Sequence, residues 1–307
     1  MSGMAKKIPI SKSRSDFTAG ALVIGKWNKR QYMIVRELGS GANGSVFLAK
    51  GVTGRYVAIK FSDNSTIIAN ESNVLKSLDR QSSFLGPALL DIDDYESSGV
   101  ITPFYVMEYI EGDSLLDFVA ANGSDSIPHL ICDLLGSLAT LHDEGWIFGD
   151  LKPENLIVEH TGRVRLIDVG GTTKSGRAIK EFTDFFDRGY WGMGDRKANI
   201  QYDLFAVAMI AVNASYGRRP AKKKGGLQEL ITMIKKHSVC ARLQPVLLQA
   251  ISGKFTSASE MKRVFRTYCR KVSRKNKQTK LEVLQPNKLE AITWGAVAIG
   301  LYLLSQI

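Results

Sequence analysis

The chain has 307 residues, of which 44% are hydrophobic, so it can bury a substantial core in one large domain or two modest ones. Its three cysteines share no close spacing, which argues against a disulfide framework or a zinc site and fits a reducing environment. The net charge of +11 is unevenly distributed, because residues 218–288 carry 19 Lys and Arg against three acids. This basic C-terminal third predicts an anionic partner surface, with a solvated, solubilising face as the alternative.

The N-terminal part of the chain is predicted to form a flexible arm and then a small β-sheet. Residues 1–24 are polar and show no periodicity, which is typical of an arm. Alternating and β-branched residues separated by glycines then predict an antiparallel meander of three strands. The predicted elements of this part are strands at residues 32–37, 45–49 and 55–61, a helix at 67–78, and a further strand at 100–109.

Helical periodicity dominates the second half of the chain. Pro128 suits a first helical turn, and apolar residues at helical spacing follow from Leu130 until Gly145 ends the helix. Ser257 and Glu260 have the spacing of a capping box and open the last helix before the linker. Strands followed by helices predict an α+β, bilobal chain with a small antiparallel sheet lobe and a larger helical lobe.

The C-terminal end of the chain is predicted to anchor it in a membrane. We place the two lobes at about residues 25–109 and 110–272, a basic linker at 273–288 and an apolar segment at 289–307. The 17 residues after Glu290 would span about 25 Å as a helix, and no polar stripe interrupts them. We therefore predict a transmembrane helix, with a buried closing helix as the alternative. Because the linker is rich in Lys and Arg, the positive-inside rule places the domain in the cytoplasm.

A glycine-rich motif lies between two predicted strands. Gly39, Gly41 and Gly44 have the spacing G-x-G-x-x-G. A dinucleotide-binding fingerprint would need a helix directly after these glycines, whereas the β-type residues Val46 and Phe47 follow. A strand–glycine–strand hairpin lets backbone amides close over phosphates without obstruction by side chains. The motif favours a phosphate-covering loop, and a tight turn is the alternative.

Lys60 stands at the end of the apolar strand Val-Ala-Ile-Lys. Burial of a lysine costs free energy unless the charge is paired. Its natural partners are an anionic ligand and Glu71, a lone acid on the next predicted helix. A solvent-facing lysine on an edge strand is the alternative.

The strongest chemical pattern is the stretch from Phe148 to Asn155, which contains Gly-Asp-Leu-Lys-Pro-Glu-Asn. The Asp150 carboxylate can accept or orient a substrate hydroxyl, and Lys152 can neutralise charge on a transferred phosphate. Asn155 and Asp168 supply oxygen ligands for Mg²⁺. Phosphoryl transfer needs positioning and charge neutralisation more than covalent help. The pattern therefore predicts ATP-dependent phosphoryl transfer to a hydroxyl.

Residues from about 25 to 270 resemble the Hanks-type, eukaryotic-like Ser/Thr protein kinases. The resemblance implies a bilobal fold with ATP and Mg²⁺ or Mn²⁺ in the cleft. It implies that Lys60 holds the α- and β-phosphates and pairs with Glu71, and that Asp150 is the catalytic base. Asn155 and Asp168 would hold the metal ions, and Lys152 is the choice typical of Ser/Thr rather than tyrosine kinases.

The same resemblance assigns the adenine site and a structural acid. Met107 would be the gatekeeper, and Glu108 and Ile110 would belong to the hinge whose backbone binds adenine. The ring would lie among Val46, Ala58 and Ile157. Asp203 looks like the buried acid that anchors the catalytic loop.

Several stretches, including those around the catalytic loop and Asp203, are also similar to a tail-anchored branch of the family in endospore-forming bacteria. This similarity implies a bacterial membrane kinase without an extracellular sensor, and a connection with sporulation.

Three departures from the general kinase pattern affect how activity could be controlled. Phe148-Gly149-Asp150 replaces His-Arg-Asp, so a phosphorylated activation segment would lack its main docking charge. Val169 replaces the phenylalanine of Asp-Phe-Gly, and we interpret this loss and the gain at Phe148 as a volume-conserving exchange. No Ala-Pro-Glu follows, and Asp195 is a candidate for the missing acid. Four hydroxyls are candidate autophosphorylation sites: Thr172, Thr173, Ser175 and Thr183.

The expected partners follow from the chemistry and the charge. They are protein substrates, a second copy of the chain for autophosphorylation, anionic lipid of the inner leaflet, and non-specific DNA. We expect an anionic polymer to bind residues 218–224 and 262–280 and to raise activity. No base-reading motif is present, so DNA binding would not depend on base sequence. Two alternatives stay open: a pseudokinase scaffold, and a kinase-fold enzyme acting on a small molecule or lipid.

Overall fold

A six-stranded antiparallel sheet forms the N-terminal lobe in the computed structural model, which describes residues 17–79, 86–223 and 225–269. The strand order is β1-β2-β3-β4-β6-β5. The three strands of the predicted meander are confirmed as β2, β3 and β4, and the predicted strand after residue 100 is confirmed as β6. The strands are β1 Leu22–Ile24, β2 Gln31–Gly41, β3 Gly44–Gly51, β4 Tyr56–Phe61, β5 Leu89–Ser97 and β6 Val100–Glu108.

Strand β5 escaped the sequence analysis because it buries carboxylates. Asp91 and Asp93 are almost fully buried, which breaks the apolar alternation that identifies a strand. Both acids receive hydrogen bonds from the chain before β2: Asp93 from the backbone of Trp27 and Asn28, and Asp91 from the Asn28 side chain. These bonds offset the cost of burying the charges and tie the start of the domain to the far edge of the sheet.

The predicted helix of the sheet lobe is confirmed as α1, Ser65–Asp79, which packs against β5 and β6. The helical lobe contains α2 Leu115–Asn122, α3 Ile127–Asp143, α4 Ile200–Tyr216, α5 Gly226–Lys236 and α6 Ser238–Ile251. A further helix, α7, runs from residue 258 to the end of the described range at 269. Short strands β7 Asp113–Ser114, β9 Leu156–Val158 and β10 Val164–Leu166 form one small sheet, and β8 Trp146–Ile147 pairs with β11 Thr173–Lys174.

Helix α4 is the centre of the helical lobe, because nearly all its residues are buried. Asn199 caps its start by accepting a hydrogen bond on its side chain from the Tyr202 amide, and Gly217 caps its end in the left-handed conformation (φ +66°). The predicted α+β arrangement, with a sheet lobe followed by a helical lobe, is confirmed.

The start of α7 differs in one detail from a capping box. Ser257 accepts a hydrogen bond from the Glu260 amide at 3.1 Å, as predicted. The Glu260 carboxylate, however, accepts from the amide and hydroxyl of Thr256, both at 2.8 Å, one residue earlier than the capping-box geometry requires. Met261 and Phe265 are fully buried and hold this helix against the core.

Among the residues that the structure describes, no helix combines the length and apolar character needed to cross a membrane. The predicted transmembrane helix at 289–307 and the linker at 273–288 lie outside the described residues, as does most of the predicted arm, residues 1–16.

The two residues of the proposed volume exchange both lie in the main hydrophobic core. Phe148 is 1% exposed and Val169 is 2% exposed, in the same cluster as Leu75 of α1. A polar ring in place of Phe148 would therefore enter an apolar, close-packed region.

We predict that Phe148→His lowers the free energy of unfolding by about 1–3 kcal/mol, because an imidazole would be buried without a partner. Adding Val169→Phe should recover part of this loss if the two positions share one volume. Chemical denaturation of the two single variants and the double variant measures both effects. Losses that simply add, within about 0.5 kcal/mol, would contradict the exchange.

Candidate active site

Lys60 lies at the cleft between the lobes and is paired as the sequence predicted. It occupies β4 opposite Val46 of β3, is 5% exposed, and lies 2.7 Å from the Glu71 carboxylate. Its ammonium is also 3.7 Å from the Asp168 carboxylate. Burial acts to lower the pKa of Lys60, but the charges of Asp168 and Glu71 outweigh it and raise the pKa. Tyr105 of β6, which the sequence analysis missed, donates its hydroxyl to Glu71 at 2.9 Å and fixes that carboxylate.

The glycine-rich motif forms the hairpin between β2 and β3, with Gly41 opposite Gly44. A side chain at Gly39 or Gly41 would meet nothing within 4 Å, so there is open space next to both glycines where a side chain would lie. Gly44 has φ +136°, and a Cβ there would lie 2.1 Å from the Phe61 carbonyl oxygen. The hairpin therefore has room for a side chain at Gly39 or Gly41 but requires glycine at position 44.

The predicted adenine-site residues come from neighbouring strands of the sheet lobe and from β9. Ala58 of β4 lies opposite Met107 of β6, and both are buried, whereas Val46 and Ile157 are half-buried. Ile110, just beyond β6, is buried as well. Ala58 and Met107 belong to the main hydrophobic core and Val46 packs against it, while the adenine site itself stays a prediction.

The side chain of Glu108 belongs to an ion-pair network that the sequence analysis missed. Its predicted hinge role concerns only the backbone of this segment. Its carboxylate accepts hydrogen bonds from Arg165 at 2.9 Å and from the Ala88 amide at 3.2 Å. Arg165, on β10, is 4% exposed and also pairs with Glu159 at 2.9 Å. The network ties the segment that joins the lobes to the small sheet of the helical lobe.

Asp203 anchors the catalytic loop, as its place in the sequence predicted. This fully buried carboxylate on α4 accepts hydrogen bonds from the amides of Phe148 at 2.8 Å and Gly149 at 3.0 Å. The His142 ring nitrogen Nε2 lies 2.9 Å from the same carboxylate, a contact that the sequence did not reveal. The donors compensate the buried charge and hold the backbone immediately before Asp150.

The absence of arginine at position 149 has a steric reason. Gly149 has φ +85°, and a Cβ there would lie 2.7 Å from the Gly171 carbonyl oxygen. The segment that follows Asp168 therefore runs too close to the catalytic loop for any side chain at this position.

The acceptor side of the site contains Asp150, Lys152 and Thr183. The Lys152 ammonium is 2.5 Å from one Asp150 carboxylate oxygen, and the Thr183 hydroxyl donates to the other at 3.0 Å. Asn155 donates its amide nitrogen to the Asp150 carbonyl at 2.9 Å, which leaves its amide oxygen as the group able to bind a cation. The Asp168 side chain is 48% exposed and lies 3.7 Å from the Lys60 ammonium in the same cleft. One amide oxygen and one exposed carboxylate are hard donors that fit Mg²⁺ or Mn²⁺.

Glu181 is a residue of this site that sequence reasoning missed. Its carboxylate accepts a 2.7 Å hydrogen bond from Asn43, at the tip of the glycine hairpin, and so bridges the two lobes in front of Lys60. Burial, followed by the charges of Asp168 and Asp150, raises the pKa of Glu181, and Lys60 only partly opposes them. No family motif surrounds Glu181 in the sequence, so its place in the site could not be predicted.

The activation segment, residues 168–195, is held in place by Asp187 and not by Asp195. Asp187 is fully buried and accepts hydrogen bonds from the amides of Gly189 and Tyr190 and from the Tyr202 hydroxyl of α4, all within 3.0 Å. Asp195 is 69% exposed, and its ion pair, with Arg188 at 2.6 Å, lies within its own segment. The sequence could not distinguish these acids, because burial decides between them.

The four candidate phosphorylation sites differ in accessibility. Thr172 and Thr173 are buried, and Thr183 already donates to Asp150. Ser175 lies in an exposed turn. Of the four, Ser175 is the one whose side chain is exposed.

The folding pattern and the cleft define a protein kinase, and the chain belongs to the protein kinase domain family, whose pattern it matches over residues 32–287. The chain is a Ser/Thr protein kinase. It is 48% identical over 250 residues to the serine/threonine-protein kinase YabT of Bacillus subtilis (strain 168), covering 80% of this chain and 73% of that protein. It is 26% identical over 216 residues to PrkC of the same organism, covering 65% of this chain and 32% of PrkC. The predicted family is confirmed, and YabT is a bacterial relative of the kind that the sequence analysis predicted.

We predict that Glu181→Gln raises the melting temperature at pH 8 but not near pH 4. A raised pKa means that wild-type stability is lost as the pH rises above the ordinary value of 4.5 through the folded-state pKa, whereas glutamine keeps the acceptor for Asn43 without ionising. Thermal unfolding of the nucleotide-free protein at both pH values measures the difference. Glu144→Gln, at an exposed position outside the cleft, is the control. An equal effect of Glu181→Gln at both pH values would contradict the role of the charge.

Proposed function

We propose that the chain transfers the γ-phosphate of ATP to serine and threonine hydroxyls of proteins, including its own. The proposal rests on two ion pairs, one between Lys60 and Glu71 and one between Lys152 and Asp150. The two pairs place the charges that phosphoryl transfer needs at opposite ends of the transferred phosphate's path, with Lys60 on the nucleotide side and Lys152 on the acceptor side.

In this mechanism the residues have separate tasks. Lys60, oriented by Glu71, binds the non-transferred phosphates beneath the glycine hairpin. Asn155 and Asp168 would hold a divalent cation, which would supply positive charge to the phosphates. Asp150 orients the acceptor hydroxyl and takes its proton, while Lys152 stabilises the charge on the phosphate in transit. The Thr183 hydroxyl holds the Asp150 carboxylate in place.

We predict that Asp150→Asn reduces phosphate transfer by at least about 100-fold, because the amide can neither accept the proton nor pair with Lys152. Transfer from labelled ATP to the chain itself and to a generic basic protein measures the loss, and nucleotide binding should be kept. Asp195→Asn, which removes an exposed carboxylate outside the cleft, is the control. Equal transfer by wild type and Asp150→Asn would contradict the proposed role, and transfer to lipid alone would favour the small-molecule alternative.

We also propose that a transmembrane helix at residues 289–307 anchors the enzyme in a bacterial cell membrane, with the kinase domain in the cytoplasm. The support is the apolar composition of that segment and the basic linker before it. Helix α7 leads toward this segment, and its exposed Arg263 and Arg266 lie opposite its buried Met261 and Phe265. Lys262 is less available, because its ammonium lies over Gly136 of α3.

We propose that an anionic surface, of lipid or of DNA, binds this basic end of the domain and raises activity. Each Lys or Arg near anionic lipid contributes roughly 1 kcal/mol, and phosphate contacts of DNA would weaken with rising salt. The similarity to YabT extends over most of the chain and suggests a shared role in endospore-forming bacteria.

We predict that duplex DNA or vesicles with anionic lipid stimulate autophosphorylation of the full chain at low salt. Replacement of Arg263 and Arg266 by glutamine should reduce the stimulation severalfold, because it removes the exposed charges of α7. Replacement of Lys235 and Lys236, which are exposed at the end of α5, is the matched control. Stimulation that is unchanged in the Arg263 and Arg266 variant would contradict this role of α7.

A further inference from the structure

The basic loop between α4 and α5, residues 218–223, lies beside the acceptor side of the cleft. Arg219 forms an ion pair with Glu154, which is four residues beyond Asp150 in the catalytic loop. The same guanidinium lies 5.0 Å from the ring centroid of Phe186. Phe186 belongs to the short helix that directly follows Thr183, whose hydroxyl bonds to Asp150. Arg219 therefore contacts both segments that place the acceptor hydroxyl.

A second cation of this loop is also fixed against the activation segment. The Lys222 ammonium donates to the Tyr190 carbonyl and lies 3.9 Å from the centroid of the Tyr190 ring. Neither contact neutralises its charge, because a carbonyl and an aromatic ring carry no formal charge. The loop is thus docked along the catalytic loop and the activation segment instead of projecting into solvent.

The charges of this loop are only partly compensated. Glu154 is paired with Arg219, and the Glu229 carboxylate accepts hydrogen bonds from the amides of Lys223 and Gly225. Arg218 and Lys223 are exposed, and within the described part of the chain neither side chain forms an ion pair with a carboxylate. The surface next to the acceptor is therefore positive on balance, and the catalytic-loop acid Glu154 is not available to attract a cation.

We propose that the loop of residues 218–223 is a docking surface for the substrate chain and selects acceptor sites flanked by Asp or Glu. This inference rests on the proposed transfer to protein hydroxyls and adds the chemical class of the substrate. Arg218, Lys222 and Lys223 attract the acidic residues, while the Arg219 pair keeps Glu154 from attracting basic ones. Charge complementarity of this kind sets the choice of partner more than the strength of binding.

This placement also changes the role of the loop in anion binding. A polyanion on residues 218–223 would cover the route to Asp150 and would compete with an acidic substrate. Activation by DNA or lipid is then left to α7 and the residues that follow it.

The test compares two serine peptides that are identical except for flanking Asp and Glu in one and Lys and Arg in the other. For the wild-type full chain we expect kcat/KM to be about tenfold higher for the acidic peptide, mainly through KM, with a preference that shrinks as salt is added. Equal kcat/KM for the two peptides, or preference for the basic one, would overturn the inference.

Two variants should shift this preference in opposite directions. Arg219→Ala releases Glu154 and should lower the ratio of acidic to basic kcat/KM, whereas Glu154→Gln releases Arg219 and should raise it. The matched control is Arg242→Ala, because Arg242 is equally exposed (39% against 38% for Arg219) and is also paired with an exposed acid. Melting temperatures establish that each variant is folded. A shift in the same direction for both variants, or a shift for Arg242→Ala as large as that for Arg219→Ala, would overturn the inference.

Duplex DNA provides the last arm of the test. Inhibition that is competitive with the acidic peptide and weakened in the Arg218→Ala, Lys223→Ala double variant would support the docking surface. Stimulation that depends on these two residues would overturn it, because the loop would then be an activator site. Loss of all phosphate transfer by the wild type would refute the proposed function itself, whereas full activity without a charge preference would refute this inference alone.

Discussion

The catalytic geometry depends on one buried charge, the carboxylate of Asp203. It has no solvent contact, so its charge must be met by donors within the protein. The donors are the amides of Phe148 and Gly149, with His142 as a third partner. Because Asp203 belongs to the most deeply buried helix, these bonds fix the catalytic loop to the rigid centre of the domain. Asp150, one residue farther along, takes its position from them.

A second constraint explains how the site is held without the usual arginine. The activation segment passes so close to Gly149 that a side chain there would collide with its backbone. The segment is fixed by other contacts instead: Thr183 bonds to Asp150, and Asp187 bonds to Tyr202 of the core helix. Because these contacts involve no phosphate, the acceptor side of the site is assembled in the unmodified chain.

Within the described residues, the basic C-terminal third contributes two positive surfaces with different surroundings. Residues 218–223 contact the catalytic loop and the activation segment, whereas the exposed arginines of α7 lie on a helix packed against α3. An anion bound at the first surface would lie beside the acceptor segments, whereas an anion bound at the second would not contact them. Total charge cannot separate these roles, because it contains no information on which elements become neighbours.

The sequence by itself determined the elements and the chemical groups. Strand alternation and helical spacing are local properties, so β2, β3, β4, α1 and α3 could be predicted. Lys60, Glu71, Asp150, Asn155 and Asp168 were identified because their residue types and spacing carry the chemistry. Tertiary structure alone decided the rest, since burial and pairing join residues far apart in the chain. Glu181 reaches Asn43, Arg165 reaches Glu108, and Arg219 reaches Glu154, contacts between residues 57 to 138 positions apart. Such contacts leave no periodic signal, and it is they that close the cleft, join the lobes and set the charge around the acceptor.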